Sequence, residues 1–218
     1  IEKGKILEKI GKLPEAIENF EISLQFEDPS SFIFSKIGQC HQKLKNHQIA
    51  AKFYKKSIAL DPSNIDAWNK IIDFYIEINR YKKAIYYLES FLKIDYDNIE
   101  SWEKIGSLYL KINFYSLAKD ALEKAIKLGS YNKETWTNYI DSLLFLNRWE
   151  AAYELAEEAK KHFPLDNSID YRIAGCFLKM GKYFKAKNYF KNFIKKNSKA
   201  PNSLKKLFPE FSQDEKKK

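Results

Sequence analysis

Residues 65–98, IDAWNKIIDFYIEINRYKKAIYYLESFLKIDYDN, run directly into residues 99–132, IESWEKIGSLYLKINFYSLAKDALEKAIKLGSYN. Laid one under the other, the stretches align position by position: Trp68 over Trp102, Ile71 over Ile105, Tyr75 over Tyr109, Ala84 over Ala118, Leu88 over Leu122. The offset of 34 residues persists in both directions, with alanines at Ala16, Ala50, Ala84, Ala118, Ala152 and Ala186. A fixed period of this size marks an array in which similar units stack and each touches its neighbours. It predicts one elongated array in place of two globular domains, and a long surface in place of a dedicated reaction pocket.

Each unit reads as two helices. In residues 65–98, Trp68, Ile71, Ile72, Tyr75 and Ile76 recur at three- and four-residue spacing, one apolar face of a helix. The pattern halts at Asn79-Arg80, and the equivalent turn residues are Gly11, Lys45, Asn113, Asn147 and Gly181. Gly and Asn tolerate the left-handed conformation that commonly ends a helix. A second apolar face follows in Tyr81, Ala84, Ile85, Leu88, Phe91 and Leu92. Pro62 and Pro164 sit where that second helix stops, since proline lacks an amide donor and disfavours helix in the residue before it. Two antiparallel helices joined by so short a turn must approach closely, which explains a small residue in the alanine column. Neither helix buries its apolar face alone, so stacking supplies the core, and a composition 44% apolar provides the material.

Other columns share the register. The fourth position of each unit reads Phe34, Trp68, Trp102, Trp136 and then Asp170; the eighth has glycine at Gly4, Gly38 and Gly106. The eleventh holds Tyr75 and Tyr109, and the twenty-fourth Phe20, Tyr54, Leu88, Leu122 and Phe190. These columns resemble the tetratricopeptide repeat, whose pattern is W-x2-L-G-x2-Y followed by A-x3-F and P. The resemblance covers about residues 1–198, with repeats near 1–30, 31–64, 65–98, 99–132, 133–166 and 167–200.

The resemblance implies an all-α, right-handed superhelical solenoid of antiparallel helix pairs, about six repeats plus a short C-terminal capping helix. It also implies a non-catalytic scaffold for protein–protein interaction, in which the first helix of each pair lines a concave groove. The second, fifth, sixth, ninth, twelfth and thirteenth positions of that helix then face the ligand. Carried onto this chain, they place Asp66, Asn69 and Asp73, then Glu100, Glu103 and Ser107, then Glu134, Asn138 and Asp141 in the groove. Beside them runs an apolar column, Ile76, Leu110, Leu144 and Leu178, joined by Phe145. Asp66–Lys70 and Glu100–Lys104 are i,i+4 pairs that support their own helices. Asp73, Glu103, Glu134 and Asp141 are unmatched within this set, so the groove suits a basic or amphipathic segment of another protein. A generic solvated face is the alternative. The family's carboxylate clamp, which holds acidic chaperone tails, finds only Asn138 and Arg172 in place, and Glu103 has the wrong charge. A chaperone-tail adaptor is therefore not expected.

Charge is concentrated at one end. Residues 1–178 hold 25 Lys and Arg against 26 Asp and Glu, whereas residues 179–218 hold 13 Lys against three acids. Lys185, Lys187, Lys191, Lys195 and Lys196 could form a basic patch for an anionic partner, nucleic acid or an acidic protein. The other reading is a solvated outer face that keeps a terminal repeat soluble. The aromatics among these lysines (Tyr183, Phe184, Tyr189, Phe190, Phe193) have helical spacing and read first as core. Residues 201–208 are expected to cap the last repeat through Leu204, Leu207 and Phe208, with Pro209 breaking the pattern and 209–218 forming a flexible tail. Ile1 falls inside a helical pattern, so the expectation is a fragment with further repeats before it.

Catalytic and metal signals are not found in the sequence. Cys40 and Cys176 both occupy the tenth position, four repeats apart, too distant for a disulfide in an extended stack. Buried free thiols point to a reducing compartment, hence the cytoplasm. Cys40-His41 and His47 lack metal-site spacing, and His47 fills the aromatic seventeenth position, so both histidines are expected in the core. There is no CxxC, HExxH, GxSxG or glycine-rich phosphate loop, no cofactor is implied, and no apolar run is long enough to span a membrane. A scaffold that can also self-associate, an array with a functional basic end, and the recruiting arm of a larger enzyme are the three readings of function.

Overall fold

The paired apolar faces of each unit fold into a helical hairpin. The computed structural model describes residues 1–26, 30–195, 205 and 207–212, and among these every regular element is helical. The hairpins are α1 (Glu2–Lys9) with α2 (Leu13–Phe26), α3 (Ser31–Lys43) with α4 (His47–Leu60), and α5 (Ile65–Glu77) with α6 (Tyr81–Leu92). They continue as α7 (Ile99–Lys111) with α8 (Tyr115–Lys127), α9 (Lys133–Phe145) with α10 (Trp149–His162), and α11 (Asn167–Lys179) with α12 (Tyr183–Lys195). A last turn, α13, spans Pro209–Ser212. The helices fall into two compact units, Ile1–Tyr96 and Asp97–Lys218. Within each unit the second helix of a hairpin packs on the first helix of the next: α2 on α3, α4 on α5, α8 on α9 and α10 on α11.

The helix limits repeat with the period. Ser30, Asn64, Asn98, Asn132 and Asp166 each precede a first helix, and each side-chain oxygen accepts an amide N–H of its first turn at 2.9–3.2 Å. Such caps satisfy amides that have no partner within the helix. At the turn, Gly11, Lys45, Asn79, Asn113, Asn147 and Gly181 all take positive φ, from 55° to 81°. The next residue then donates to the carbonyl five residues back, as in Lys12 to Leu7 (2.9 Å) and Arg80 to Tyr75 (2.8 Å), closing each first helix with a Schellman motif.

The alanine column is sealed: five of its members have no exposed surface and Ala186 has 2%. The glycine column has a matching steric cause. A Cβ on Gly4, Gly38 or Gly106 would lie within 3 Å of Phe20, Tyr54 or Leu122, the twenty-fourth residue of the same repeat. In the fifth repeat the eighth residue is the larger Ile140 and its partner is the small Ala156, whereas in the third both Ile72 and Leu88 are large and buried. Close packing at this crossing is thus met by volume exchange in some repeats and by other arrangements in the rest.

Three expectations are corrected here. His47 is exposed on α4, its ring 6.0 Å from Phe74, and His41 is half-buried against Phe53 at 5.8 Å; neither fills the core. Pro209 does not end the ordered chain, because it opens α13, where a missing amide donor costs nothing. Phe211 of α13 is 6% exposed and stacks on Phe190 with ring centroids 4.2 Å apart. Capping therefore continues past Phe208, which is fully buried against Tyr171. Leu204 and residues 213–218 lie outside the described residues.

Candidate functional site

The first helices bring the expected groove residues onto their faces, and the structure sorts them into open and committed groups. In the first unit Asp66 and Asp73 are exposed on α5, Asn69 and Ile76 are half-buried, and Asp66 pairs with Lys70 at 3.6 Å. In the second unit Glu100 pairs with Lys104 at 2.9 Å, Glu134 is exposed, and Ser107, Leu110, Asn138, Phe145 and Leu178 are half-buried. Phe145 stacks on Tyr115 at 4.6 Å, so one of its ring faces is covered.

Asp141, Leu144 and Glu103 depart from the expected role. Asp141 is 5% exposed and receives two hydrogen bonds from Arg172, Nε to Oδ1 at 2.6 Å and Nη2 to Oδ2 at 2.8 Å. The guanidinium also donates to Ser168 Oγ at 2.9 Å. A planar fork matched to a carboxylate is the strong form of this interaction. Asp141 is thus a link between α9 and α11 and not an open acid, and Arg172, 4% exposed, cannot reach a ligand. Leu144 has no exposed surface. Glu103 accepts from Ser130 and, at 3.3 Å, from Asn132 Nδ2, tying α7 to the loop before α9. An acidic character for this face accordingly rests on fewer groups than the sequence suggests.

A second charge pair, in which only the acid is buried, stands where the tryptophan column breaks. Asp170 replaces the aromatic residue, is 2% exposed, and accepts a hydrogen bond from Lys160 of α10. Neither charge pair was legible from one repeat, because each partner lies on a different helix. The 34-residue alignment would have marked Asp170 as the anomaly.

At the basic end Lys185, Lys187, Lys191 and Lys195 are exposed, while Lys196 lies outside the described residues. The aromatics divide: Phe190 and Phe193 are core, but Tyr183 is 70% and Phe184 79% exposed, against the expectation of a wholly buried set. Both cysteines are free and buried, and burial raises their thiols, Cys40 to about 11 and Cys176 to about 12. Neither is a thiolate at neutral pH, which leaves them unreactive. Among the described residues no group of three or more His, Cys, Asp or Glu is placed to hold a metal ion.

Sequence reading also missed a cluster on the first two repeats, Lys5, Glu8 and Lys9 of α1 with Phe32, Lys36 and Lys43 of α3, which line one pocket. All six occupy second, sixth, ninth, twelfth or thirteenth positions, so extending the groove register to these repeats would have found them.

Comparison with known proteins follows the same lines. The tetratricopeptide repeat family matches at residues 33–64 and 99–128, and a second tetratricopeptide repeat description at residues 170–200. None of the curated proteins matches the chain in sequence. Among solved structures, MamA is similar with a TM-score of 0.68 at 23% identity, covering 82% of this chain and 94% of its own. YrrB, described as a TPR protein with an unusual peptide-binding site, gives a TM-score of 0.68 at 18% identity, covering 82% of this chain and 92% of its own. A tetratricopeptide repeat protein from Parabacteroides merdae covers 99% of this chain and 85% of its own, with a TM-score of 0.67 at 16% identity.

Proposed function

The chain is a tetratricopeptide repeat protein, and we propose that it serves as a non-catalytic scaffold holding an extended or helical segment of a partner protein along its first helices. One observation carries this reading. In α7, α9 and α11, Ile105, Ile140 and Ile173 are sealed into the core, while Ser107, Leu110, Asn138 and Leu178 on the same helices keep open surface. Polar and aliphatic groups alternate there on three helices whose N-termini are each held by a side-chain cap. A ligand then meets a preorganised face, which lowers the entropy cost of binding. The similarity in fold to YrrB, with its peptide-binding site, supports the reading. Because Asp141 and Glu103 are committed internally, the partner segment is chosen by mixed polar and apolar contacts more than by a basic charge.

A displayed peptide library tests it. Selected peptides should bind the wild-type chain, and Leu110→Ala with Asn138→Arg should weaken them about tenfold or more while melting changes little. Selected peptides that bind the double variant as well as the wild type would move the site off these helices.

A second reading is favoured by Tyr183 and Phe184. Two exposed aromatic rings among Lys182, Lys185 and Lys187 combine charge with stacking surface, the features that hold an anionic polymer.

A further inference from the structure

The first unit carries a charged pocket on first helices α1 and α3, apart from the residues of α7, α9 and α11 that carry the scaffold reading. Lys5, Glu8 and Lys9 recur at three- and four-residue spacing, so they share one face of α1. Phe32, Lys36 and Lys43 likewise share one face of α3. Facing each other, the six side chains line a pocket of about 350 Å³. That is the lower range of small-ligand cavities, enough for one or two side chains of a bound segment.

The pocket's own acid is already engaged. Glu8 is 9% exposed at its side chain and gives one oxygen to Lys43 at 2.8 Å and the other to Lys36 at 3.0 Å. Burial alone would raise its pKa, but these two lysines outweigh burial and hold the carboxyl below its usual range. Lys5 is paired with Glu2, a residue 80% exposed that lies outside the lining, at 2.7 Å. Lys9 is exposed at the rim. Four ammonium groups thus line a pocket that holds one carboxylate, Glu8, and an incoming anion relieves the repulsion among them. Phe32 is 40% exposed, with Lys5 Nζ 5.0 Å and Lys36 Nζ 5.8 Å from its ring centroid. An open aromatic face beside cations that outnumber the pocket's one carboxylate selects a ligand that is apolar on one side and anionic on the other.

We propose that this α1–α3 pocket binds an acidic peptide segment, its carboxylates on Lys5, Lys9, Lys36 and Lys43 and a neighbouring apolar side chain on Phe32. Three features favour carboxylates. The cations are all lysines, point charges without the planar fork that grips phosphate at two oxygens. Glu8 beneath them opposes a dense dianion more than a single carboxylate. One phenylalanine offers a seat for one side chain and no succession of stacking platforms. The same face of α5 bears Asp66, Asp73 and Glu77, so the basic lining ends at α3. None of these pocket residues belongs to the set on which the scaffold reading rests, so either can fail alone.

Fluorescent dodecapeptides with a central Phe-Glu-Glu-Asp, with lysines replacing the acids, or with phosphoserine replacing the glutamates would be titrated against the whole chain at low salt. The acidic peptide should bind saturably and the lysine peptide should not. Lys9→Glu and Phe32→Ser should each weaken the acidic peptide about tenfold or more with melting unchanged. Lys9 serves as the test because it holds no fold contact in the pocket, whereas Lys36 and Lys43 secure Glu8. Absence of binding, or wild-type affinity in both variants, overturns the proposal. A phosphoserine peptide binding about a hundredfold tighter, or displacement by inorganic phosphate alone, overturns it in favour of a phosphate site.

Discussion

At the scale of single residues, the period exposes exceptions. Lys45 occupies the left-handed turn position that glycine or asparagine fills in the other five repeats, with φ of 60°. A Cβ-bearing residue costs roughly 1–2 kcal/mol there, and asparagine lessens it by bonding locally. Lys45→Asn should therefore stabilise by about 0.5 kcal/mol, read as a shift of the denaturation midpoint at constant slope. The Arg172–Asp141 pair works in the opposite sense. Arg172→Leu leaves a buried carboxylate alone and should cost about 3–5 kcal/mol, while Arg172→Leu with Asp141→Leu should recover most of the loss; equal melting of the single and double variants would show that the two charges are not coupled. Glu8 adds a pH dependence. Its carboxyl is held below the unfolded value, so its stabilisation is present above the unfolded pKa and vanishes as pH falls through the folded one. Glu8→Gln should thus be less stable than wild type at pH 7, with the gap closing in acid.

At the scale of elements, the end of the array depends on a single close approach. Phe208 has no exposed surface and lies where a Cβ on Gly175 of α11 would stand, 2.3 Å from its ring. Glycine is needed there because the ring, not the backbone angle, claims the space. Gly175→Ala should displace Phe208 and lower the melting temperature. Phe208→Ala should cost about 3–5 kcal/mol as a buried aromatic truncation. Ending the chain after Phe208 removes Phe211 and should also destabilise, whereas ending it after Ser212 removes only Gln, Asp, Glu and lysines, residue types with little apolar surface to offer, and should change melting little. Melting curves of the two truncations decide whether α13 caps the last repeat. The alanine column makes the complementary case: Ala118→Leu should overpack α7 against α8 at about 1–3 kcal/mol, while Lys127→Leu, at an exposed position, should change little.

At the scale of the whole molecule, charge is graded along the chain, near balance over residues 1–178 and strongly positive beyond. If the basic end engages an anionic polymer, its affinity for single-stranded RNA should fall steeply with salt. It should drop further in Lys185→Glu with Lys187→Glu, and drop without altered salt slope in Phe184→Ser, which removes stacking and no charge. A flat salt response measured by anisotropy would return these lysines to a solvated face.

The repeat, its hairpins and their limits were legible in the sequence because they depend on local rules that recur every 34 residues: helical spacing, a left-handed turn residue, a small residue at the helix crossing. The resemblance of Trp102, Gly106, Tyr109, Ala118 and Leu122 to a known family carried the architecture further than any one of them could. What only tertiary structure decided is which face residues remain open. Asp141 reads as a groove acid until α11 brings Arg172 onto it, and Pro209 reads as a breaker until Phe211 lands on Phe190. The Lys5–Lys43 pocket exists because α1 lies beside α3, one period away. Periodicity reports which face a residue occupies, but its electrostatic partner and its burial are set by the neighbouring repeat, across distances that a local pattern does not encode.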